Sequence, residues 1–251
     1  MTNKRTHLLG QHMLVDSETL NYEVAMARPE GKTVLEIGGG TGNLTSSLLE
    51  KAKKVITVEI DPQKAEELNE RFIGEKKLKI IESDFLSIPK DKYKADIIVG
   101  NIPYSASSPI LFKLREWSFE HAVLCVQKEF ADRMVAKPGD RNYSRLSVMS
   151  QIYFTPRYLK TVSAGCFRPI PEVDSAIVIL FPKKEKILEK RDESITKIFI
   201  HRKKILAAAI KSRDFTDTER ARLSSTAEQL GILKKRIFHI SPEEILKLLK
   251  D

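Results

Sequence analysis

Short apolar runs alternate with amphipathic stretches through the first half of the chain. Thr33 to Ile37, Val55 to Val58, Leu78 to Ile81, Ile97 to Val99 and Ala122 to Val126 form the apolar runs. Leu44 to Lys51, Pro62 to Phe72 and Pro109 to Arg115 are the amphipathic stretches between them. Apolar runs this short are fully buried strands when longer helical patterns separate them, so the order predicts βα units and a mostly parallel sheet. Asp61-Pro62 marks one helix start, an N-cap acid followed by proline at the first helical position. After Lys128 the pattern changes. It predicts a helix to about Met134, a polar loop from Lys137 to Ser144, and strand-like runs at Ser147 to Phe154 and Ala176 to Phe181 that finish the sheet as antiparallel strands. From Lys183 onward only helical patterns remain, at Ile195 to Ile210, Asp217 to Leu230 and Pro242 to Leu249. The fold expected is therefore α/β over residues 1–182, with a small helical domain over 183–251.

Charge separates these two parts. The chain carries 43 Lys and Arg against 34 Asp and Glu, a net charge of +9. Residues 183–251 hold 18 of the basic and 11 of the acidic side chains, so seven of the nine net charges lie in the last quarter. Such an excess favours a polyanionic partner and marks the tail as the RNA-facing part. No stretch approaches the roughly 20 apolar residues that span a bilayer, the longest candidate being Ile205 to Ile210. Cys125 and Cys166 stand far apart and the five histidines never pair at ligand spacing, which argues against a disulfide framework and a zinc site. A cytoplasmic monomer without metal or membrane contact is the expectation.

Glycine spacing sharpens the first half. Val34 to Gly42 reads as a buried strand entering a glycine-rich turn, with Gly38, Gly40 and Gly42 in a GxGxG pattern. The dinucleotide pattern GxGxxG fails because Asn43 stands where its last glycine belongs, so the turn suits a cofactor without a pyrophosphate. At the end of the next strand Glu59 can accept both ribose hydroxyls of an adenosyl group, and at the following one Asp84 can accept from the adenine amino group. Each acid alone could equally cap a helix; glycine, Glu and Asp at three successive strand ends together point to a cofactor.

Asn101-Ile102-Pro103-Tyr104 follows the fourth long strand directly. This tetrapeptide resembles the Asn/Asp-Pro-Pro-Tyr signature of methyltransferases acting on nucleobase amino groups. The residue types suit that chemistry. An exocyclic adenine nitrogen is a poor nucleophile because its lone pair is delocalised, so acceptors for both amino hydrogens are needed to reshape it. The Asn101 side chain and a backbone carbonyl near Ile102 can accept them, while Tyr104 stacks on an extruded base.

Three further stretches and the tail resemble one family, the small-subunit ribosomal RNA adenine dimethyltransferases of the KsgA type. Gly10 to Asp16 is similar to its amino-terminal GQNFL-type motif, Gly139 to Val148 to its loop before the sixth strand, and Phe167 to Ala176 to its FxPxPxVDSA segment. Phe199 to Lys204 resembles its basic helix start. The likeness covers nearly the whole chain. It implies a Rossmann-like sheet that binds S-adenosyl-L-methionine through His12, Leu14, Gly38, Gly40, Glu59, Asp84 and Asn101. It also implies catalytic roles for Asn101, Pro103, Tyr104 and Phe167, with Phe167 facing Tyr104 across the target base. The partner implied is the small ribosomal subunit and its rRNA, with two adjacent adenines dimethylated. One departure is His12 where the family commonly has asparagine; imidazole can still make one hydrogen bond there. Two alternatives use the same features: a large-subunit methylase of the antibiotic-resistance type, and an assembly factor that keeps the fold for binding.

Overall fold

The computed structural model describes residues 12–90, 92–185 and 189–250. Gly10 and Gln11 of the amino-terminal motif and part of the charged segment after Lys183 lie outside them. Seven strands form one sheet: β2 (Thr33–Ile37), β3 (Lys54–Glu59), β4 (Leu78–Glu82), β5 (Ile97–Asn101), β6 (His121–Gln127), β7 (Phe154–Val162) and β9 (Ser175–Pro182). Their order is β4-β3-β2-β5-β6-β9-β7. The pairs from β4 to β6 are parallel, and β9 runs antiparallel to β6 with Cys125 opposite Ile177. This is the Rossmann-like arrangement expected from the alternating pattern. A separate two-stranded ladder joins β1 (Met13–Leu14) to β8 (Phe167–Arg168), with Leu14 opposite Phe167.

Strand order reverses between β2 and β5, the place where open α/β sheets leave a crevice at the carboxyl ends of their strands. One sheet face shares an apolar cluster with α1 (Ser17–Ala27) and α2 (Asn43–Lys51), in which Val34, Val55, Ile97, Val99, Val123 and Cys125 meet Leu20, Val24, Leu44 and Leu48. Because strand side chains alternate faces, Glu36, Glu59, Asn101 and Ser175 point to that same side. α3 (Pro62–Arg71) packs on β3 and β4. Its start is the expected one, with Asp61 accepting from the Gln63 N–H at 3.0 Å and Pro62 at the first position. α4 (Ser107–Leu114) follows β5, and α5 (Lys128–Val135) follows β6.

Two compact units divide the chain. The first comprises residues 1–131 and 156–182, the second 132–155 and 183–251. The stretch expected as a strand from Ser147 to Phe154 is instead the helix α6 (Arg145–Tyr153) within the second unit. Nearly every residue of this helix is buried, including Leu146, Val148, Met149 and Ile152, so no polar face survives to reveal a helical period. Ser147 accepts from the Ser144 N–H at 2.9 Å and starts the helix where a Glu would be the usual signal.

The remaining helices of that unit are α7 (Glu189–Ile200), α8 (Leu206–Ile210), α9 (Asp217–Gln229) and α10 (Pro242–Leu248). The single helix expected from Ile195 to Ile210 is broken between α7 and α8, where the Lys204 carbonyl accepts from the Ile237 N–H and that of Arg202 from Phe238. Ile195, Ile198, Leu206, Ile210, Leu223, Ile237, Ile245 and Leu248 are all buried there, each contributing about 1.5 to 3 kcal/mol of transfer free energy. Among the described residues no helix is long and apolar enough to cross a membrane, and no group of three or more His, Cys, Asp or Glu is set to hold a metal ion.

Candidate active site

A cavity opens at the carboxyl ends of β2, β3 and β5. Its walls bring together His12, Leu14, Gly38, Gly40, Glu59, Asn101, Pro103, Tyr104 and Phe167 from five separate segments of the chain. Asp84 is not among the lining residues. It is exposed at the end of β4, where its Oδ1 accepts from the Leu86 N–H at 2.9 Å and caps a short 3-10 turn.

The glycine turn follows from backbone geometry. Gly38 and Gly40 have φ of 82° and 54°, a region closed to most side chains. A Cβ on Gly40 would also meet the Met13 sulfur at 2.6 Å. The turn puts the Gly40 N–H on Glu59 Oε2 at 2.8 Å, and the Asp61 N–H binds Oε1 at 2.9 Å. Glu59 is 2% exposed, so two backbone donors hold a buried carboxylate at the cavity wall. Each of its oxygens can accept a further bond.

Behind the wall lie more acids. Glu36 is fully buried; its Oε2 accepts from Thr45 at 2.6 Å and Thr57 at 2.7 Å, while Oε1 has no partner. Burial raises its pKa to about 7 against the pull of those hydroxyls. Glu23 of α1 is also fully buried with neither oxygen partnered, and burial followed by the nearby Glu36 carboxyl raises it to about 8.

Asn101 closes β5 opposite Cys125, and the Ile102 N–H donates to the Cys125 carbonyl at 2.9 Å. Ile102 precedes proline, which keeps its backbone out of the helical region and turns the chain sharply from strand to 3-10 turn. The Asn101 Oδ1 is buried and has no partner. An orphaned acceptor in a lined cavity is costly unless an incoming donor completes it. Tyr104 stands half-buried beyond it, its hydroxyl 2.9 Å from Ser175 Oγ and its ring 5.5 Å from the His12 ring at 32°. Burial raises the Tyr104 pKa, so the phenol stays protonated. His12 Nδ1 lies 2.8 Å from the Pro169 carbonyl; a carbonyl only accepts, so Nδ1 carries the proton. Phe167 is 3% exposed and reaches the cavity through its pairing with Leu14.

The residues fit an adenosyl cofactor bearing a cationic centre. A buried acid with lone pairs to spare stands in the wall, backbone rather than side chain forms the wall at the glycine turn, and the unpaired Asn101 acceptor belongs to the same cavity. Cys125, Ser175, Met13, Thr41 and Asn43 also line the cavity. Cys125 carried no signal in the sequence, since an apolar strand hides a cysteine, whereas Ser175 belongs to the segment from Phe167 to Ala176 without having been given a role there. Asn43, the residue that breaks the dinucleotide pattern, donates from Nδ2 to the Leu14 carbonyl at 3.1 Å and ties the amino-terminal strand to the turn.

In the second unit Arg202 directs its guanidinium to the Arg141 carbonyl at 2.6 Å, while Lys203 and Lys204 are exposed in the turn after α7. The segment from Gly139 to Val148 is packed there as well. The Gly139 N–H reaches the Phe238 carbonyl at 2.7 Å, and the Tyr143 hydroxyl reaches that of Ile240 at 2.7 Å.

Comparison with known proteins agrees with this geometry. The family described as Ribosomal RNA adenine dimethylase matches residues 1–249. Two proteins called probable ribosomal RNA small subunit methyltransferase A, from Thermococcus gammatolerans and Methanopyrus kandleri, are each 40% identical to this chain. The matches run over 243 and 253 residues, covering 96% of this chain in both cases and 86% and 89% of the relatives. A dimethyladenosine transferase from Plasmodium falciparum superposes with a TM-score of 0.86 at 33% identity, over 95% of this chain and 96% of that one. The 23S rRNA methyltransferase ErmE follows with 0.70 at 29% identity, over 94% and 97%.

Proposed function

Because the chain belongs to the ribosomal RNA adenine dimethylase family, we propose that it transfers methyl groups from S-adenosylmethionine to N6 of adenines in small-subunit ribosomal RNA, dimethylating two adjacent adenines. The observation that carries the mechanism is the buried, unpartnered Oδ1 of Asn101, placed in one cavity with Glu59 and Tyr104.

When bound, S-adenosylmethionine supplies an electrophilic methyl carbon on a sulfonium. The protein's own groups do the rest. Glu59 accepts the ribose hydroxyls with the lone pairs its backbone donors leave open, Leu14 and Met13 give apolar cover, and His12 closes the near side. Asp84, at the next strand end, is the candidate acceptor for the cofactor's adenine amino group. Tyr104 and Phe167 receive the extruded target base between them. Asn101 Oδ1 accepts one N6 hydrogen and the backbone near Ile102 the other, drawing the nitrogen toward a tetrahedral shape as its lone pair attacks the methyl carbon. Pro103 holds that backbone by lacking both an N–H and rotational freedom in φ. The nitrogen becomes cationic as the new bond forms and the carbon–sulfur bond breaks, its electron pair staying with the departing thioether, and it then loses its proton to water without a dedicated base.

The basic second unit is assigned to the ribosomal RNA. Action as a monomer in the cytoplasm, without a metal, goes with this reading. Small-subunit rather than large-subunit rRNA is favoured by the naming of the relatives at 40% identity. The test is transfer of labelled methyl to small subunits from an unmethylated strain, followed by mapping of the modified adenines. Methylated adenines in small-subunit rRNA are expected. Asn101→Ala should slow single-turnover transfer by roughly 10²- to 10³-fold, the effect of removing one preorganised polar partner, with little change in RNA affinity. Transfer by Asn101→Ala at the wild-type rate would reject the mechanism. Absence of transfer by the wild type would leave an assembly factor as the function.

A further inference from the structure

Ser175 takes no part in the chemistry described above, yet it is buried at 1% exposure in the wall of the same cavity. It opens β9, opposite Gln127 on β6, in a position fixed from both sides. Just before it, Asp174 accepts from the Ala164 N–H at 3.0 Å through Oδ1, and its carbonyl accepts from the Lys128 N–H at 2.9 Å. The Ser175 hydroxyl lies 2.9 Å from the Tyr104 hydroxyl. The Cys125 thiol lines the same cavity, and burial keeps it protonated. A line of contact thus runs from Tyr104 Oη through Ser175 Oγ to the start of β9. Cys125 in turn pairs with Asn101 across β5 and β6.

Such a line has a mechanical consequence. A tyrosine side chain chooses among staggered χ1 wells that swing its phenol end to different places, and this one is only partly buried in the cavity wall. Stacking requires one ring position, so an untethered ring would have to be ordered each time a base arrives, at a cost in conformational entropy. A hydroxyl pinned to a strand start that is itself held by Asp174 removes that cost in advance. Resting on the reading of Tyr104 as the platform for the target base, we propose that Ser175 is a positioning residue for methyl transfer. Its hydroxyl fixes the direction of the Tyr104 ring axis, so that the ring stands in place before the adenine enters.

A double-mutant cycle on the full chain tests this, read as single-turnover transfer of labelled methyl to unmethylated small subunits at saturating cofactor. Ser175→Ala should slow transfer by about 3- to 10-fold, the reach of one neutral hydrogen bond. Cofactor affinity should stay unchanged. Tyr104→Phe, which keeps the ring and loses the tether, should slow transfer by a similar factor. Ser175→Ala added to Tyr104→Phe should then slow it no further, and Ser175→Thr should restore most of the wild-type rate. Equal slowing by Ser175→Ala in the wild-type and Tyr104→Phe backgrounds would overturn the proposal, because the serine would then act through packing of β9. So would a wild-type rate for Ser175→Ala while Tyr104→Ala is slow. A wild-type rate for Tyr104→Ala would instead remove the base-platform reading on which the proposal rests.

Discussion

Glu59 and Glu219 both accept backbone N–H groups, yet they belong to regions that treat charge in opposite ways. Glu219 opens α9 with a reciprocal cap: it accepts from the Thr216 N–H at 2.8 Å, and its own N–H reaches the Thr216 hydroxyl at 3.2 Å. Lys197 stands 3.7 Å away, and the Thr216 N–H foremost holds the Glu219 carboxyl below its ordinary pKa. Ser241 and Glu244 repeat the device at α10. In the second unit, then, these capping acids stand partly open to water, are partnered and are held toward the ionised form. Around the cavity of the first unit they are sealed from water: Glu23, Glu36 and Glu59 are all at most 2% exposed, and three carboxylate oxygens of the first two have no partner. A scaffold gains by completing its polar groups locally, whereas the cavity wall itself leaves the Asn101 Oδ1 acceptor open.

The sharpest way to break that contrast is through pH. Glu23 is raised from 4.5 to about 8, so between those values the unfolded chain loses this proton while the folded chain keeps it. Folding stability on account of Glu23 is therefore full below pH 4.5, falls as pH rises, and levels off above about pH 8. Glu23→Gln removes the penalty and should stabilise the protein at pH 8 by about 2 to 4 kcal/mol, with little gain at pH 4.5. Urea denaturation at the two pH values measures it. The same gain at both would mean that Glu23 is not the group that titrates.

Next in size is Glu59→Ala, which should weaken S-adenosylmethionine binding by about 1 to 3 kcal/mol through loss of charge-assisted bonds. Isothermal calorimetry on the folded variant decides it, and unchanged affinity would return Glu59 to a purely structural role at the glycine turn. The smallest effect belongs to the scaffold. Thr216→Ala should cost about 1 kcal/mol of stability in the second unit by removing a helix cap, with cofactor affinity unaltered. A change in that affinity would contradict the assignment of cofactor binding to the first unit alone.

The cofactor strand, its glycine turn and the Asn101–Tyr104 segment were legible because their residue types are dictated locally. Positive φ demands glycine, proline fixes the chain after Ile102, and alternating strand and helix periods announce the sheet. α1 escaped notice because Glu23 interrupts its buried stripe of Leu20, Val24 and Ala27. α6 read as a strand because its burial on all sides erased the period that distinguishes the two. Glu59 and Asp84 look equivalent along the chain, each an acid at the end of a strand. Only the fold separated them, since one N–H from the glycine turn reaches Glu59 across 19 residues while Asp84 caps its own neighbours.

By itself, then, the sequence determined the mostly parallel α/β sheet and the kind of cofactor, since strand and helix periods and the glycine turn are written in local residue types. Which acids are buried, how Ser175 meets Tyr104 across 71 residues, and how Phe167 reaches the cavity by pairing with Leu14 were decided by the tertiary structure. Burial and long-range hydrogen bonds depend on which distant segments the folded sheet brings side by side, and no local pattern carries that information.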